Sequence, residues 1–112
     1  MAKVGIIGAG GWALGIAILL NHNGHEVTVW SKIQAEIDAI AATRENERSL
    51  PGVKIPESIA LTTDLEALSR DNDLIVMAVA SPYVRSVSHE IGELNISGLK
   101  IVNVAKGIEE QT

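Results

Sequence analysis

A short apolar strand followed at once by closely spaced glycines constrains this 112-residue chain more than any other feature. Residues 3–7 read Lys-Val-Gly-Ile-Ile, and the turn after them carries Gly8, Gly10 and the small residue Ala13. In such a strand–turn–helix unit the first glycine permits a tight turn, and the second lets the backbone approach a pyrophosphate. The third position needs a small side chain for close packing of helix on strand. The pattern therefore predicts a phosphate-binding loop at a helix N-terminus.

An apolar N-terminal stretch is also typical of signal peptides and membrane spans. Residues 4–20 carry no charge, and Lys3 precedes them. However, the stretch contains five glycines, which weaken a continuous helix, and no A-x-A cleavage site follows it. Its 17 residues are also at the short limit for crossing a bilayer. We therefore expect a cytoplasmic protein with no membrane insertion.

The composition is that of one globular domain with an aliphatic core. Hydrophobic residues make up 46% of the chain, and phenylalanine is absent, so isoleucine, valine, leucine and alanine must fill the interior. Small aliphatic residues suit parallel strands that are buried on both faces. The net charge of −5 with no basic run argues against nucleic acid as a partner. There is no cysteine, and His22, His25 and His89 lack metal-ligand spacing, so we expect no metal.

Short apolar runs alternate with helical stretches along the chain. The runs predict strands at residues 3–7, 26–30, 59–61, 74–79 and 101–104. A helix is predicted over residues 11–21, and three more follow the second, third and fourth strands. This alternation predicts an α/β fold, a Rossmann-like doubly wound parallel sheet of five strands in the order 3-2-1-4-5. Loops at the carboxyl ends of the strands should then line a ligand crevice.

Capping signals predict where three of the helices begin. Ser31 with Gln34, and Thr63 with Glu66, have the spacing of capping boxes at the second and third helices. Ser81 is followed by a proline, which favours the first position of the fourth helix. The polar segment 43–56 separates the second helix from the third strand, and we expect it to form a loop that is long enough to be functional.

The end of the second strand bears on which dinucleotide binds. Sites that prefer NAD usually carry an acidic residue there, about 20 residues past the glycines, to hold the ribose 2′-hydroxyl. This chain has Trp30, Ser31 and Lys32 instead. Ser31 offers a hydroxyl, and Lys32 offers a positive charge where the 2′-phosphate of NADP would lie, although a solvated lysine is the simpler alternative. Because the helix dipole disfavours a cation at a helix N-terminus, we interpret Lys32 as functional and predict NADP(H) as the preferred cofactor, with NAD(H) as the second option.

Several sequence blocks, in this order, resemble the bacterial type of NAD(P)-dependent glycerol-3-phosphate dehydrogenase. They span the whole chain and are more specific together than the glycines alone. They are Gly8-Ala9-Gly10-Gly11-Trp12, residues 24–30 (Gly-His-Glu-Val-Thr-Val-Trp), 43–46 (Thr-Arg-Glu-Asn), 50–56 (Leu-Pro-Gly-Val-Lys-Ile-Pro), 63–65 (Thr-Asp-Leu) and 105–109 (Ala-Lys-Gly-Ile-Glu). The chain departs from the family at residues 13–15, which read Ala-Leu-Gly where the family usually has Gly-Thr-Ala.

The resemblance implies an oxidoreductase that reduces dihydroxyacetone phosphate to sn-glycerol 3-phosphate for phospholipid synthesis. It also implies that residues 1–112 are a single, truncated NAD(P)-binding domain, without the helical substrate domain that carries the main catalytic lysine. We therefore expect the isolated chain to be inactive. By the same resemblance Gly11 and Trp12 contact the cofactor, Lys32 lies near the 2′-phosphate, and Ser81 lies on the nicotinamide side. Lys106 would contact both the cofactor and the phosphorylated triose substrate.

Two alternatives stay open. Ketopantoate reductase and related two-domain NADP-dependent dehydrogenases share the glycine loop, although residues 50–52 and 106–109 argue against them. A stand-alone nucleotide-sensing module has a similar length, although many such modules carry an acidic residue where Lys32 stands. If further strands of the sheet are missing from this chain, residues 101–104 would be an exposed apolar edge, so we also expect a homodimer or poor solubility.

Overall fold

The fold is an open parallel β-sheet with helices on both faces. The computed structural model describes residues 2–45, 52–79, 81–94 and 100–103. The strands are β1 (Lys3–Ile7), β2 (Glu26–Trp30), β3 (Ala60–Thr62), β4 (Leu74–Met77) and β5 (Ile101–Asn103). The helices are α1 (Gly11–His22), α2 (Gln34–Thr43), α3 (Leu65–Asp71) and α4 (Ser81–Leu94). No helix in this described part is long and apolar enough to cross a membrane.

The strand order is β3-β2-β1-β4-β5 with every neighbouring pair parallel, which confirms the predicted sheet. Ile7 at the end of β1 is in register with Trp30 of β2 and Met77 of β4. Two further bonds continue the ladder, since Gly8 N–H donates to the Trp30 carbonyl (2.8 Å) and Ala78 N–H donates to the Ile7 carbonyl (2.9 Å). The three strands therefore end side by side, and the turns that follow them open at one edge of the sheet.

Each face of the sheet has its own buried cluster. On one face, α1 packs Ala13, Leu14 and Ala17 against the strands, together with residues of β1 and β2. On the other face, side chains of β4, α3 and α4 pack around Trp30. Gly5 sets the approach of α3, because a Cβ added there would lie 2.9 Å from Leu68 Cγ. The central strands are thus buried on both faces, as the aliphatic composition predicts.

Both predicted capping boxes are wrong. The N-cap of α2 is Ile33, which has no side-chain cap, because the Ser31 hydroxyl instead accepts the Ile33 N–H (3.2 Å). The N-cap of α3 is Asp64, whose carboxylate accepts the Ala67 N–H at 3.1 Å. A charged acceptor one residue further along competes successfully with the Thr63 hydroxyl, since charge-assisted hydrogen bonds are the stronger ones.

The strand bounds differ from the prediction at the third and fourth strands. The third strand is shifted by one residue, because Thr62 pairs with Trp30 and the fully buried Ile59 lies just before the strand. The fourth strand ends at Met77 instead of residue 79, since β1 beside it has already turned away at Gly8. The fifth strand is described over Ile101–Asn103, in agreement with its predicted start, and Val104 lies outside the described residues.

Candidate functional site

A cavity of about 320 Å³ opens at the carboxyl ends of β1, β2 and β4. Its wall consists of residues 8–10 after β1, residues 30–33 and Glu36 around the end of β2, Ala78 and Val79 after β4, and Ser86 and Val87 of α4. The strand order reverses direction between β1 and β4, and in open α/β sheets ligands bind in the crevice at such a switch point. The cavity therefore lies where the topology predicts a ligand site.

The turn after β1 has a backbone that only glycine can adopt without strain. Gly8 has a φ of +128°, and a Cβ added there would lie 2.9 Å from the carbonyl oxygen of Ala78. Gly10 differs, because a Cβ on it would meet no protein atom within 4 Å and would enter open space. The absence of a side chain at Gly10 thus leaves room beside the start of α1.

The N-terminus of α1 provides donors for an anion. Its N-cap is Gly10, in an extended conformation (φ −76°, ψ 179°) with no side-chain cap, so no side chain from that position occupies the orphan N–H groups of the first turn. The first residues of α1 are not acidic, so no carboxylate there competes for the positive end of the helix dipole. These residues fit a pyrophosphate, which such helix N-termini bind through backbone N–H groups and the dipole.

The departure from the family at residues 13–15 does not disturb this helix start. Ala13 is fully buried beside Gly8, where an added Cβ would lie 3.3 Å from the Ala13 Cβ. Leu14 is also fully buried, and its N–H donates to the Gly10 carbonyl at 2.9 Å, the first regular bond of α1. Ala13 therefore fills the third small position of the glycine pattern.

The second turn, after β2, brings opposite charges to the cavity wall. Ser31 is buried, Lys32 is exposed, and Glu36 lies on the first turn of α2. The Ser31 hydroxyl donates to Glu36 Oε1 at 2.6 Å, which leaves Ser31 no hydrogen to donate to a ligand. The sequence interpretation missed Glu36 because it sought a carboxylate only beside the end of the strand. The available signal was an acidic residue in the first turn of the following helix.

The structure brings together half of the predicted cofactor residues. Gly8, Gly10, Ser31 and Lys32 share the cavity wall. Gly11 and Trp12 form the first turn of α1 without lining the cavity, and the Trp12 side chain is 47% exposed. Ser81 is the first residue of α4, with a side chain outside the described part, and Lys106 lies outside the described residues altogether. Ser86 of α4 lines the cavity although no sequence signal singled it out.

Two ionisable residues contribute to the described wall of this cavity. They are Lys32, which follows β2, and Glu36, which lies in the first turn of α2. No group of histidine, aspartate and glutamate residues that could hold a metal occurs among the described residues. Trp30 is among the residues that line the cavity and is buried, so its fluorescence can report on changes there.

Comparison with known proteins agrees with this geometry. The profile described as NAD-dependent glycerol-3-phosphate dehydrogenase N-terminus matches residues 3–112. A glycerol-3-phosphate dehydrogenase (NAD(P)+) of Agathobacter rectalis is 45% identical over all 112 residues, which cover 33% of that protein. A second such enzyme, from Lactobacillus delbrueckii subsp. bulgaricus, is 43% identical over the same length and is also covered to 33%.

A solved structure agrees as well. The crystal structure of glycerol-3-phosphate dehydrogenase from Coxiella burnetii superposes with a TM-score of 0.84 at 27% identity, covering 91% of this chain and 31% of that one. The chain thus spans about one third of the length of the curated relatives it matches. The family match nevertheless covers almost all of this chain, from residue 3 to residue 112. The chain belongs to the family of NAD-dependent glycerol-3-phosphate dehydrogenase N-terminal domains.

Proposed function

We propose that this chain supplies the dinucleotide-binding domain of an oxidoreductase that reversibly reduces dihydroxyacetone phosphate to sn-glycerol 3-phosphate, for glycerophospholipid synthesis. The observation that carries the proposal is the glycine turn at the mouth of the cavity, where Gly8 shapes the backbone and Gly10 leaves open space beside α1. The names of the relatives supply the substrate, and NAD(P)H supplies the hydride when it is bound.

Within this proposal the residues of the chain bind and orient the cofactor. Gly10, Gly11 and Trp12 receive the pyrophosphate at the start of α1, where backbone N–H groups carry the interaction. Ser31 and Lys32 lie at the adenosine ribose end, and Ser81 begins the helix on the nicotinamide side. The exposed Lys32 favours NADP(H), because its ammonium can pair with a 2′-phosphate.

Substrate binding and turnover require more than these residues. We propose that residues 1–112 form one nucleotide-binding domain and that a helical substrate domain, with an acid–base residue for the carbonyl oxygen, completes the enzyme. Lys106 is proposed to contact both the cofactor and the phosphorylated triose. The isolated 112 residues should bind the dinucleotide and show no dihydroxyacetone-phosphate-dependent oxidation of NADPH. Such turnover by the pure isolated chain would contradict the proposal that a second, helical domain is required for catalysis.

A matched pair of glycine variants tests the binding mode. Gly10→Ala places a methyl group in the space beside the start of α1, whereas Gly15→Ala places one at an exposed position further along the same helix. Neither added Cβ meets a protein atom within 4 Å, so both variants should fold. We expect Gly10→Ala to weaken NADPH binding by about tenfold or more, the scale of losing one well-placed polar contact, and Gly15→Ala to leave it unchanged.

Tryptophan fluorescence and calorimetry measure this binding, because Trp30 lines the cavity and Trp12 lies in the first turn of α1. Equal affinities for the two variants would refute pyrophosphate binding at Gly10. Wild-type protein that binds neither NADPH nor NADH would refute the proposed function.

A further inference from the structure

Glu36 occupies a place on the cavity wall that the glycine pattern does not assign. It follows β2 by six residues and lies in the first turn of α2, where an acidic side chain also favours the helix dipole. The Ser31 hydroxyl donates to Glu36 Oε1 at 2.6 Å, a short charge-assisted bond that holds the carboxylate over the end of β2. Ser31 is in turn anchored, since its oxygen accepts the Ile33 N–H.

The other oxygen of this carboxylate is available to a ligand. Among the described residues Glu36 Oε1 is bonded to Ser31, and Oε2 has no hydrogen-bond donor. Glu36 is half-buried and contributes to the wall of the cavity. An ionised carboxylate accepts hydrogen bonds and donates none, so its natural partner in this cavity is a hydroxyl of the ligand.

Lys32 lies on the same wall and carries the opposite charge. It is exposed and forms neither a hydrogen bond nor an ion pair within the described part of the chain. Although Lys32 and Glu36 are four residues apart, they are not paired with each other, because Ser31 holds the carboxylate. A ligand group that reaches the end of β2 therefore meets a free cation and an anchored anion together.

We propose that Glu36 is a specificity-determining residue for the dinucleotide, an inference that rests on the proposed cofactor-binding function. Its carboxylate accepts a hydrogen bond from the 2′-hydroxyl of NAD(H) and repels the 2′-phosphate of NADP(H). Lys32 acts in the opposite sense. The balance between these two charges makes the site tolerant of both dinucleotides, and the preference that Lys32 gives to NADP(H) is modest as a result.

An isosteric variant isolates the charge. Glu36→Gln keeps an oxygen that can accept the Ser31 hydrogen bond and removes the negative charge. Asp38→Asn is the matched control, because Asp38 is an exposed carboxylate on the same helix that accepts from Gln34 and does not line the cavity. The measurement is the ratio of the dissociation constants of NADH and NADPH, obtained by calorimetry on the purified protein at low and high salt.

We expect Glu36→Gln to raise the NADH-to-NADPH ratio of dissociation constants about tenfold, the scale of one hydrogen bond to a charged group. Asp38→Asn should change it by less than about twofold, as expected for an exposed charge. Lys32→Gln should lower the ratio, and all shifts should shrink at high salt.

The possible outcomes separate this inference from the function on which it rests. Wild-type protein that binds both dinucleotides, with a ratio that Glu36→Gln leaves unchanged, would overturn the role of Glu36 and leave the proposed function standing. An equal shift in Asp38→Asn would also overturn it, because the effect would then be one of net charge. Absence of binding to either dinucleotide would refute the proposed function, and the inference would fall with it.

Discussion

Replacement of Gly8 by alanine should destabilise the fold through two separable effects. The first is backbone strain, because Gly8 has a φ of +128°, a region that costs a residue with a Cβ about 1–2 kcal/mol or more. The second is steric, because the new Cβ would lie 2.9 Å from Ala78 O and 3.3 Å from Ala13 Cβ. Ala78 O belongs to the backbone beside β4 and cannot rotate away, so the overpacking adds about 1–3 kcal/mol.

Gly24→Ala separates the two effects. Gly24 also has a positive φ, +93°, but a Cβ there meets no protein atom within 4 Å. This control should therefore lose about 1–2 kcal/mol, the strain alone, whereas Gly8→Ala should lose about 2–5 kcal/mol in total. The larger loss is a substantial part of the roughly 5–15 kcal/mol that stabilises an ordinary domain.

Urea unfolding followed by tryptophan fluorescence measures both variants, because the buried Trp30 becomes exposed to solvent on unfolding. With an m-value of about 1.5 kcal/mol/M, a loss of 3 kcal/mol lowers the midpoint by about 2 M, which is easily resolved. Losses of free energy of unfolding that agree for the two variants within about 0.5 kcal/mol would refute the steric argument, because only Gly8 has the close backbone contact. The same result would leave the positive φ of Gly8 as the remaining physical reason for glycine at this turn.

Two further predictions concern the start of α3 and the edge of the sheet. Asp64→Ala removes the acceptor of the Ala67 N–H and should lower the free energy of unfolding by about 1 kcal/mol, whereas Asp64→Asn should retain most of it; equal losses in urea titrations would contradict the capping role. Val102 on β5, at the edge of the described sheet, is 46% exposed, and we expect this edge to pair with a second copy of the chain. Val102→Lys should then reduce the mass measured by sedimentation at high concentration, and a monomeric wild-type protein would contradict this expectation.

The parts of the fold that the sequence predicts well are those where glycine and buried aliphatic residues leave few choices. The first two strands have their predicted bounds, because the turn at Gly8 ends β1 and the positive φ of Gly24 separates α1 from β2. The strand order follows from the alternation of strands and helices with right-handed crossovers. These are constraints of backbone conformation and chain connectivity, which depend little on the details of side-chain packing.

Helix starts are harder to predict, because several short polar side chains compete for the same N–H groups. At α3 the spacing of Thr63 and Glu66 suits a capping box, yet Asp64 is the acceptor that forms the cap. Thr62 meanwhile uses its hydroxyl to accept the Asp64 N–H at 3.0 Å. The spacing of polar residues therefore predicts a helix start to within a few residues, whereas the contacts in the folded chain decide which residue is the N-cap.

At α2 the position of the N-cap also decides which side chain lies beside Ser31 in the candidate site. A helix capped by Ser31 would place Gln34 at its third position, whereas the observed N-cap at Ile33 gives that position to Glu36. The difference of two residues rotates the helix by about 200° with respect to the end of β2. Gln34 then bonds to Asp38 and Thr63, and the group that reaches Ser31 is a carboxylate instead of an amide.

The wrong N-cap of α2 and the overlooked carboxylate of Glu36 therefore have the same structural cause. The Ser31 hydroxyl, which the spacing assigned to the helix backbone, holds Glu36 over the cavity instead. A sequence interpretation that counts only the residues beside β2 finds a lone cation in Lys32 and predicts a site for the 2′-phosphate. With the helix start displaced, the same segment presents a cation and an anion to the cavity. Under the proposed binding mode, cofactor preference depends on where this helix begins as much as on which residues follow the strand.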